Sequence, residues 1–134
     1  NDISKIKEAA KRAQAFDFIN KLPEGFNTII GENGQLLSEG QKQRIAIARG
    51  LLKNAEIYIF DESMSALDLK TEELIKAIIQ ELKNKTIIII SHRIDTINIA
   101  DQIILLKNGT VCGNGTHSYL IENNKEYQKL YNIN

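Results

Sequence analysis

The sequence predicts an α/β fold for this chain of 134 residues. Two observations lead to that prediction: short apolar segments alternate with amphipathic segments of helical period, and one apolar segment is the four-isoleucine run Ile87–Ile90. Runs that are apolar and β-branched on both faces are typical of buried parallel strands. Basic and acidic residues number 17 each, and this balance argues against a nucleic-acid-binding module.

The first part of the chain is predicted to be helical. Apolar and small residues recur at helical spacing from Ser4 to Ile19, and Leu22-Pro23-Glu24-Gly25 ends that region because proline and glycine break helices. Residues 28–34 are predicted to form a loop. Ser38 is predicted to cap a helix that runs from Glu39 to about Leu52.

The rest of the chain is predicted to alternate between strands and helices, and the Asn108-Gly109 pair is a strong signal for a hairpin turn. The predicted elements, in order, are a strand over Ile57–Phe60, a helix over Thr71–Leu82, a strand over Thr86–Ile90, hairpin strands over Ile103–Leu106 and Thr110–Cys112, a short helix near His117 and a C-terminal helix around Tyr127.

Two carboxylates, Asp61 and Glu62, follow the first predicted strand. The carboxyl ends of parallel strands form the edge where open α/β sheets bind ligands. Adjacent side chains on an extended chain point in opposite directions, so Asp61 can face a magnesium ion while Glu62 polarises a water aimed at a phosphate. The alternative interpretation is a strand end capped by two solvated acids, and these residues alone leave both open.

Two further segments carry groups that suit phosphate. In Leu37-Ser38-Glu39-Gly40-Gln41, a serine cap and a first-turn glycine leave backbone N–H groups open at the positive end of a helix dipole, which suits a phosphate. The alternative interpretation is an ordinary N-cap, which these five residues by themselves favour. His92 follows the isoleucine strand and is expected at the sheet edge of Asp61, where it can donate a hydrogen bond to a γ-phosphate. A lone histidine is more often structural.

In combination, these segments resemble the nucleotide-binding domain of ATP-binding cassette (ABC) transporters. Four blocks, Leu37–Arg44, Ile59–Glu62, Ser65–Asp68 and Ser91–Arg93, are similar in order to its signature motif, Walker B motif, D-loop and switch histidine. The resemblance implies a P-loop NTPase-like fold, of which this chain holds the helical signature subdomain and the C-terminal part of the parallel sheet. The helical subdomain is expected to cover about residues 1–52, and the Walker B strand to the last helices about 53–134.

The resemblance extends to the exporter class. The loop at residues 28–34 is similar to the one that touches the membrane domains in exporter-type members, and the ending from Gly113 to Leu120 with its tyrosine-containing helix also resembles that class. The implied parent protein is an ATPase at the cytoplasmic face of the cell membrane. In it, two nucleotide-binding domains pair head to tail and act on transmembrane domains, without a nucleic-acid partner.

The resemblance also implies catalytic roles for three residues. Asp61 is expected to help hold Mg²⁺, Glu62 to act as general base for the attacking water, and His92 to contact the γ-phosphate of ATP.

The remaining implied roles concern partners. Ser38 and Gly40, with Gln41 in the same motif, are expected to bind the γ-phosphate of ATP held by a partner domain. Asp68 is expected to communicate across the dimer interface, and Glu32 to lie near the transmembrane domains.

The chain departs from the family pattern at two points. The signature usually has glycine where this chain has Glu39, whose charge weakens phosphate binding if it points inward. No Gly-x-x-x-x-Gly-Lys-[Ser/Thr] loop, which cradles phosphates in P-loop ATPases, occurs in the sequence. The chain starts without methionine and is expected to be a piece of a longer protein, inactive alone, with an unpaired edge on the strand Thr86–Ile90 that promotes self-association.

Two other classes stay open on the sequence. One is a non-transport cassette ATPase that serves DNA repair or translation, a group that inserts long coiled coils or lacks the exporter-like loop at residues 28–34. The other is a non-catalytic interaction module that reuses the half-domain. The transported substrate and the choice between identical and different partner domains are not specified by these motifs.

Overall fold

A computed structural model of the chain describes residues 2–31, 34, 36–61, 69–82 and 84–131, with the side chains of 69–72 left undescribed. The chain divides into two compact units, residues 1–90 and 91–134. Its elements are α1 (Ile3–Arg12), α2 (Phe16–Asn20), a 3₁₀ turn (Gly25–Asn27), α3 (Glu39–Leu52), β1 (Ile57–Asp61), α4 (Leu69–Glu81), β2 (Thr86–Ile90), α5 (Ile94–Ile97), β3 (Ile103–Lys107), β4 (Thr110–Gly115), α6 (His117–Asn123) and α7 (Lys125–Leu130).

Most of these elements lie where the sequence predicts them, and the α/β class is confirmed. Helix α3 has the predicted bounds, and β1 runs one residue further, to Asp61. The hairpin is confirmed as well, because β3 and β4 pair antiparallel around Asn108 and Gly109, whose φ angles are 51° and 76°. Positive φ at both central residues is what a two-residue turn of the right twist requires.

The region from Ser4 to Ile19 is largely helical as predicted, but a break that was not predicted divides it into two helices, α1 and α2. Gln14 adopts a left-handed φ of 49° after the C-cap Ala13 of α1. The N–H of Gln14 donates to the Lys11 carbonyl at 2.9 Å and that of Ala15 to the Ala10 carbonyl at 2.7 Å. These bonds satisfy the last carbonyls of α1 in a Schellman motif and turn the chain into α2.

The first unit is built on a parallel pair of strands. The register between β1 and β2 runs from Ile57 opposite Thr86 to Asp61 opposite Ile90, so both strands end at the same edge. One face of the pair packs against helices: Tyr58 is buried in a cluster with Ala9 of α1, Leu51 of α3, Leu74 and Ile78 of α4, and Leu82 just after α4. This cluster is the main core of the unit.

The opposite face of the two strands is open, so the predicted burial of both faces is wrong for the described structure. Ile59 is 64% exposed and Ile88 46% exposed, while the alternate residues Phe60 and Ile87 pack on the core. The physical reason is that the described sheet has two strands with helices packed on one face only. A four-isoleucine strand therefore leaves half of its side chains in water.

Helices α1 and α3 form the second layer of this unit. Three buried alanines, Ala10, Ala13 and Ala15, let α1 and the following turn approach a group of larger side chains that includes Phe16, Phe26 and Ile47. Arg12 of α1 also donates to Glu81 of α4 at 3.0 Å. The start of α3 is thus held on a packed helical layer.

The second unit is the β3–β4 hairpin covered by α6 and α7. Its core consists of Ile103, Leu120 and Tyr127. Asn124 joins the two layers, since its side-chain nitrogen donates to the Cys112 carbonyl at 2.8 Å and its oxygen caps α7 through the Tyr127 N–H at 2.9 Å. In the described part of the chain, no helix combines the length and apolar character needed to cross a bilayer.

Candidate functional site

The start of α3 is organised by a reciprocal pair of hydrogen bonds. The Ser38 hydroxyl oxygen accepts from the Gln41 N–H at 3.3 Å, and the Gln41 side-chain oxygen accepts from the Ser38 N–H at 2.9 Å. This capping box satisfies two of the donors that a helix start leaves without intrahelical partners. The predicted N-cap role of Ser38 is confirmed. The partnership with Gln41 was missed, although the Ser-x-x-Gln spacing is its sequence signal.

The capping box leaves the N–H groups of Glu39 and Gly40 for an external acceptor. Both lie in the first turn of a 14-residue helix, where the peptide dipoles sum to a partial positive charge. Gly40 carries no side chain between its N–H and an approaching oxygen, and Ser38 is exposed beside it. The arrangement can hold one anionic group, with the serine hydroxyl free to donate because only its oxygen is engaged in the cap.

Glu39 is turned away from that position. Its side chain is 86% exposed, and one carboxylate oxygen lies 2.7 Å from Lys42 Nζ. The stem of Lys42 in turn passes close to Gly34, where an added Cβ would meet Lys42 Cε at 3.5 Å. The carboxylate that departs from the family signature is therefore paired with a cation on its own helix and faces solvent.

Asp61 stands at the carboxyl end of the parallel strand pair. It is the last residue of β1 and lies opposite Ile90, the last residue of β2. Asp61 is exposed, and its side chain forms no hydrogen bond or ion pair with another described residue. Its carboxylate is available to a ligand from outside. Glu62 and Asp68, predicted as the general base and an interface residue, lie outside the described residues, as does Glu32.

His92 belongs to the second unit and lies two residues after the end of β2. Its side chain is exposed. The segment around it is shaped locally by Ser91, whose hydroxyl accepts from the Arg93 N–H at 3.1 Å. Of the predicted site residues, Ser38 and Gln41 are in direct contact, and Asp61 lies in the same unit as both.

The described residues contain no group of three or more His, Cys, Asp or Glu side chains close enough to form a metal site by themselves. A cation at Asp61 would need ligands in addition to the His, Cys, Asp and Glu side chains of the described residues. That pattern suits Mg²⁺, which is commonly bound through one or two carboxylates, substrate phosphates and water.

The fold and these groups define a class of protein. Residues 1–65, which include the Ser38–Gln41 segment and the Asp61-Glu62 pair, match the model of the ABC transporter family. Over these residues the chain is similar to ABC transporter ATPase domains. It is, more particularly, homologous to the ATP-binding domains of ABC exporters.

Three relatives support the exporter assignment. The chain is 49% identical over 129 residues to the ATP-dependent lipid A-core flippase of Haemophilus influenzae (strain 86-028NP) and 50% identical over 129 residues to that of Escherichia coli (strain K12). It also superposes on a bacterial Atm1-family ABC exporter with ATP bound, with a TM-score of 0.88 and 40% identity over 96% of this chain. The matches cover 96% of this chain but only 22% of each flippase and 23% of the solved exporter chain.

Proposed function

We propose that the intact protein hydrolyses ATP and uses the energy to drive export across a membrane. Each ATP site would be formed jointly by two nucleotide-binding domains, and this segment would supply part of it. The single observation that carries the proposal is the start of α3, where Ser38 is exposed and the N–H groups of Glu39 and Gly40 have no partner within the helix. The exporter relatives support transport over the non-transport cassette ATPases. They also speak against a purely non-catalytic module, because an ATP-dependent activity is part of the name of both flippases.

The γ-phosphate of ATP held by a second nucleotide-binding domain is the anion that we assign to this helix start. The Ser38 hydroxyl and the N–H groups of Glu39 and Gly40 would donate to its oxygens, and the helix dipole would favour its charge. Gln41 would act through the capping box, which fixes the position of the Ser38 side chain. Because the site is then completed only by a second domain, ATP binding and head-to-tail dimerisation are coupled.

Asp61 fits the role of a magnesium ligand. A hard cation prefers oxygen donors, and Asp61 offers an exposed carboxylate without a competing partner among the described residues. When bound, Mg²⁺ would supply charge neutralisation on the phosphates. Glu62, the next residue, is proposed to orient and deprotonate the attacking water, and His92 to hydrogen-bond the γ-phosphate from the end of the neighbouring strand.

Two further residues are proposed to contact other domains of the transporter. Asp68 is proposed to communicate across the interface between the two nucleotide-binding domains, and Glu32 to lie near the transmembrane domains. The segment would then work at the cytoplasmic face of the cell membrane. Recognition of the transported substrate is assigned to the transmembrane domains.

Steady-state turnover of the intact protein tests the catalytic assignment. The Glu62→Gln variant should lose about 10²-fold or more in ATP hydrolysis, as removal of a general base does, while ATP binding persists. Glu122→Gln, a change of the same kind at an exposed position of α6, is the matched control and should keep normal turnover. Unchanged hydrolysis by Glu62→Gln would remove Glu62 from the role.

The 134-residue chain by itself is proposed to be inactive. Its sequence contains no Gly-x-x-x-x-Gly-Lys-[Ser/Thr] loop, so the β- and γ-phosphates lack their usual backbone cradle and lysine. Titration of the chain with Mg-ATP should reveal no binding at micromolar concentration, whereas the intact protein should bind. Micromolar affinity in the isolated chain would contradict the proposal.

A further inference from the structure

A basic cleft lies between the end of α1, helix α2 and helix α3, and its described lining includes none of the residues assigned to ATP. It measures about 710 Å³. Phe16 and Phe18 form its floor, and Lys11, Lys21 and Arg44 stand around it. Among the described residues that line it, the one carboxylate is Asp17. The lining therefore has three cationic groups and one anionic group, on a chain whose overall charge is balanced.

The cations of this cleft lack the ion pairs that neighbouring basic residues make. Arg12 lies 3.0 Å from Glu81, Lys42 lies 2.7 Å from Glu39, and Lys85 lies 2.6 Å from Glu56. Within the described ranges, by contrast, Lys11, Lys21 and Arg44 form no ion pair with any carboxylate. Their charge is consequently uncompensated by the chain itself.

Two of the cations are held in place by the aromatic floor. Lys11 Nζ lies 5.3 Å from the centre of the Phe16 ring, and Arg44 Cζ lies 5.5 Å from that of Phe18. Phe16 is itself supported by Phe26 at a centroid distance of 5.9 Å. Cation–π contacts of this kind restrict the motion of long basic side chains, so less conformational entropy is lost when an anion binds.

We propose that this cleft is a docking site for an acidic peptide segment of a partner protein, one that alternates carboxylate and apolar side chains. Charge complementarity selects an anionic partner. The concave shape with a half-buried aromatic floor suits a peptide better than a flat bilayer surface.

The cleft shares helix α3 with the proposed phosphate site. Arg44 Nε donates to the carbonyl of Gly40 at 3.3 Å, one turn closer to the start of the helix. A carboxylate that binds Arg44 would therefore act on the same turn that carries the signature residues. Docking of the peptide itself needs no nucleotide and is independent of the ATPase proposal.

Fluorescence anisotropy with the intact protein, in the absence of ATP, tests the docking site. The probe is a labelled peptide of alternating glutamate and leucine, and the comparison peptide has glutamine in place of glutamate. At about 50 mM salt, where surface charges are weakly screened, the glutamate peptide should bind at least about tenfold more tightly. The Lys11→Gln/Lys21→Gln double variant should weaken that binding about tenfold.

A variant with the same change of net charge is the control. Lys5 and Lys7 are exposed on α1 but do not line the cleft, so Lys5→Gln/Lys7→Gln should weaken binding less than about twofold. Phe18→Leu keeps every charge but removes the ring beneath Arg44, and about a threefold loss is expected. Circular dichroism of each variant verifies that the fold is retained.

Three results would overturn the proposal. The first is an equal loss of binding in the Lys5/Lys7 and Lys11/Lys21 variants, which would make the attraction a property of the whole surface. The second is failure of the glutamate peptide to bind the unmodified protein at millimolar concentration. The third is binding to phosphatidylserine-containing vesicles that depends on Lys11 and Lys21 while peptide binding does not, which would assign the cleft to a membrane surface.

Discussion

Ser38 and Gln41 cap each other's backbone at the start of the signature helix, with the Ser38 hydroxyl oxygen 3.3 Å from the Gln41 nitrogen and the Gln41 side-chain oxygen 2.9 Å from the Ser38 nitrogen. This relationship gives the motif a structural basis that does not require nucleotide. The N–H groups of Glu39 and Gly40, between the paired residues, are left without a partner in the helix, so the same four residues cap the helix and carry the donors proposed to bind an anion.

Removal of the cap should destabilise the first unit even in the absence of ATP. Ser38→Ala leaves the Gln41 N–H without its acceptor, and the free energy of unfolding should fall by about 1 kcal/mol. Urea denaturation followed by far-ultraviolet circular dichroism measures the change. Ser118→Ala, at an exposed position of α6, is the control and should stay within about 0.5 kcal/mol of the unmodified chain. Equal effects of the two changes would argue against the capping box.

The open isoleucine face of the strand pair should promote self-association of the isolated chain. Exposed apolar side chains on an uncovered sheet favour pairing with another copy, and a lysine placed there opposes it. Ile88→Lys should therefore shift the chain toward monomer in sedimentation velocity. Ile3→Lys, at a position on α1 that is 53% exposed, should leave the association unchanged. A strictly monomeric unmodified chain at high concentration would contradict the prediction.

Replacement by alanine should change the stability of the fold in opposite directions at two glycines. A Cβ at Gly113 would lie 2.7 Å from the Asn124 side-chain nitrogen and 3.3 Å from Leu105 Cβ, so Gly113→Ala should cost about 1–3 kcal/mol by disturbing the Asn124 bridge. At Gly50, inside α3, an added Cβ meets nothing within 4 Å, and Gly50→Ala should stabilise by about 0.5–1 kcal/mol. Thermal unfolding of both variants measures whether each change raises or lowers the stability. Stabilisation by Gly113→Ala would contradict the packing described around β4.

The second unit should lose stability in acid through Glu126. The hydrogen bond from Lys107, followed by the charges of Lys107 and Lys129, lowers the pKa of Glu126 from its ordinary 4.5. A lowered pKa means that the contribution is complete above about pH 5 and disappears as the pH falls through the folded-state pKa. The same pair raises the pKa of Lys107 above 10.5, so its contribution disappears only when the pH rises through that higher value.

Comparison of the unmodified chain with Glu126→Gln measures this dependence. The difference in melting temperature should be constant between about pH 5.5 and pH 10 and should vanish below the folded-state pKa of Glu126. It should be small, because both partners are exposed to solvent. Glu122→Gln, which removes a glutamate without an ion pair in the described part, should leave the melting curve unchanged. A difference that persists at pH 3 would have another origin.

Much of the fold could be predicted from short stretches of the sequence. The bounds of α3 followed from a serine cap and a helical apolar pattern, and the β3–β4 turn followed from Asn108-Gly109, because these effects act within a few residues of the chain. The break at Gln14 was not predicted, since the left-handed C-terminal position of such a motif is usually glycine. Gln14 adopts that conformation within a turn packed by buried alanines on either side.

The candidate site residues could likewise be identified from the sequence, whereas their contacts and exposure could be seen only in the structure. A serine, a glycine and a glutamine at fixed spacing, an acidic pair after one strand and a histidine after the next are properties of the chain alone, and they were sufficient to indicate the ABC ATPase class. The direction of the Glu39 carboxylate, the open face at Ile59 and Ile88, and the gathering of Lys11, Lys21 and Arg44 around one cleft were decided only by tertiary structure. These features depend on which helices pack against which face, and contacts between residues far apart in the chain leave no local pattern in its sequence.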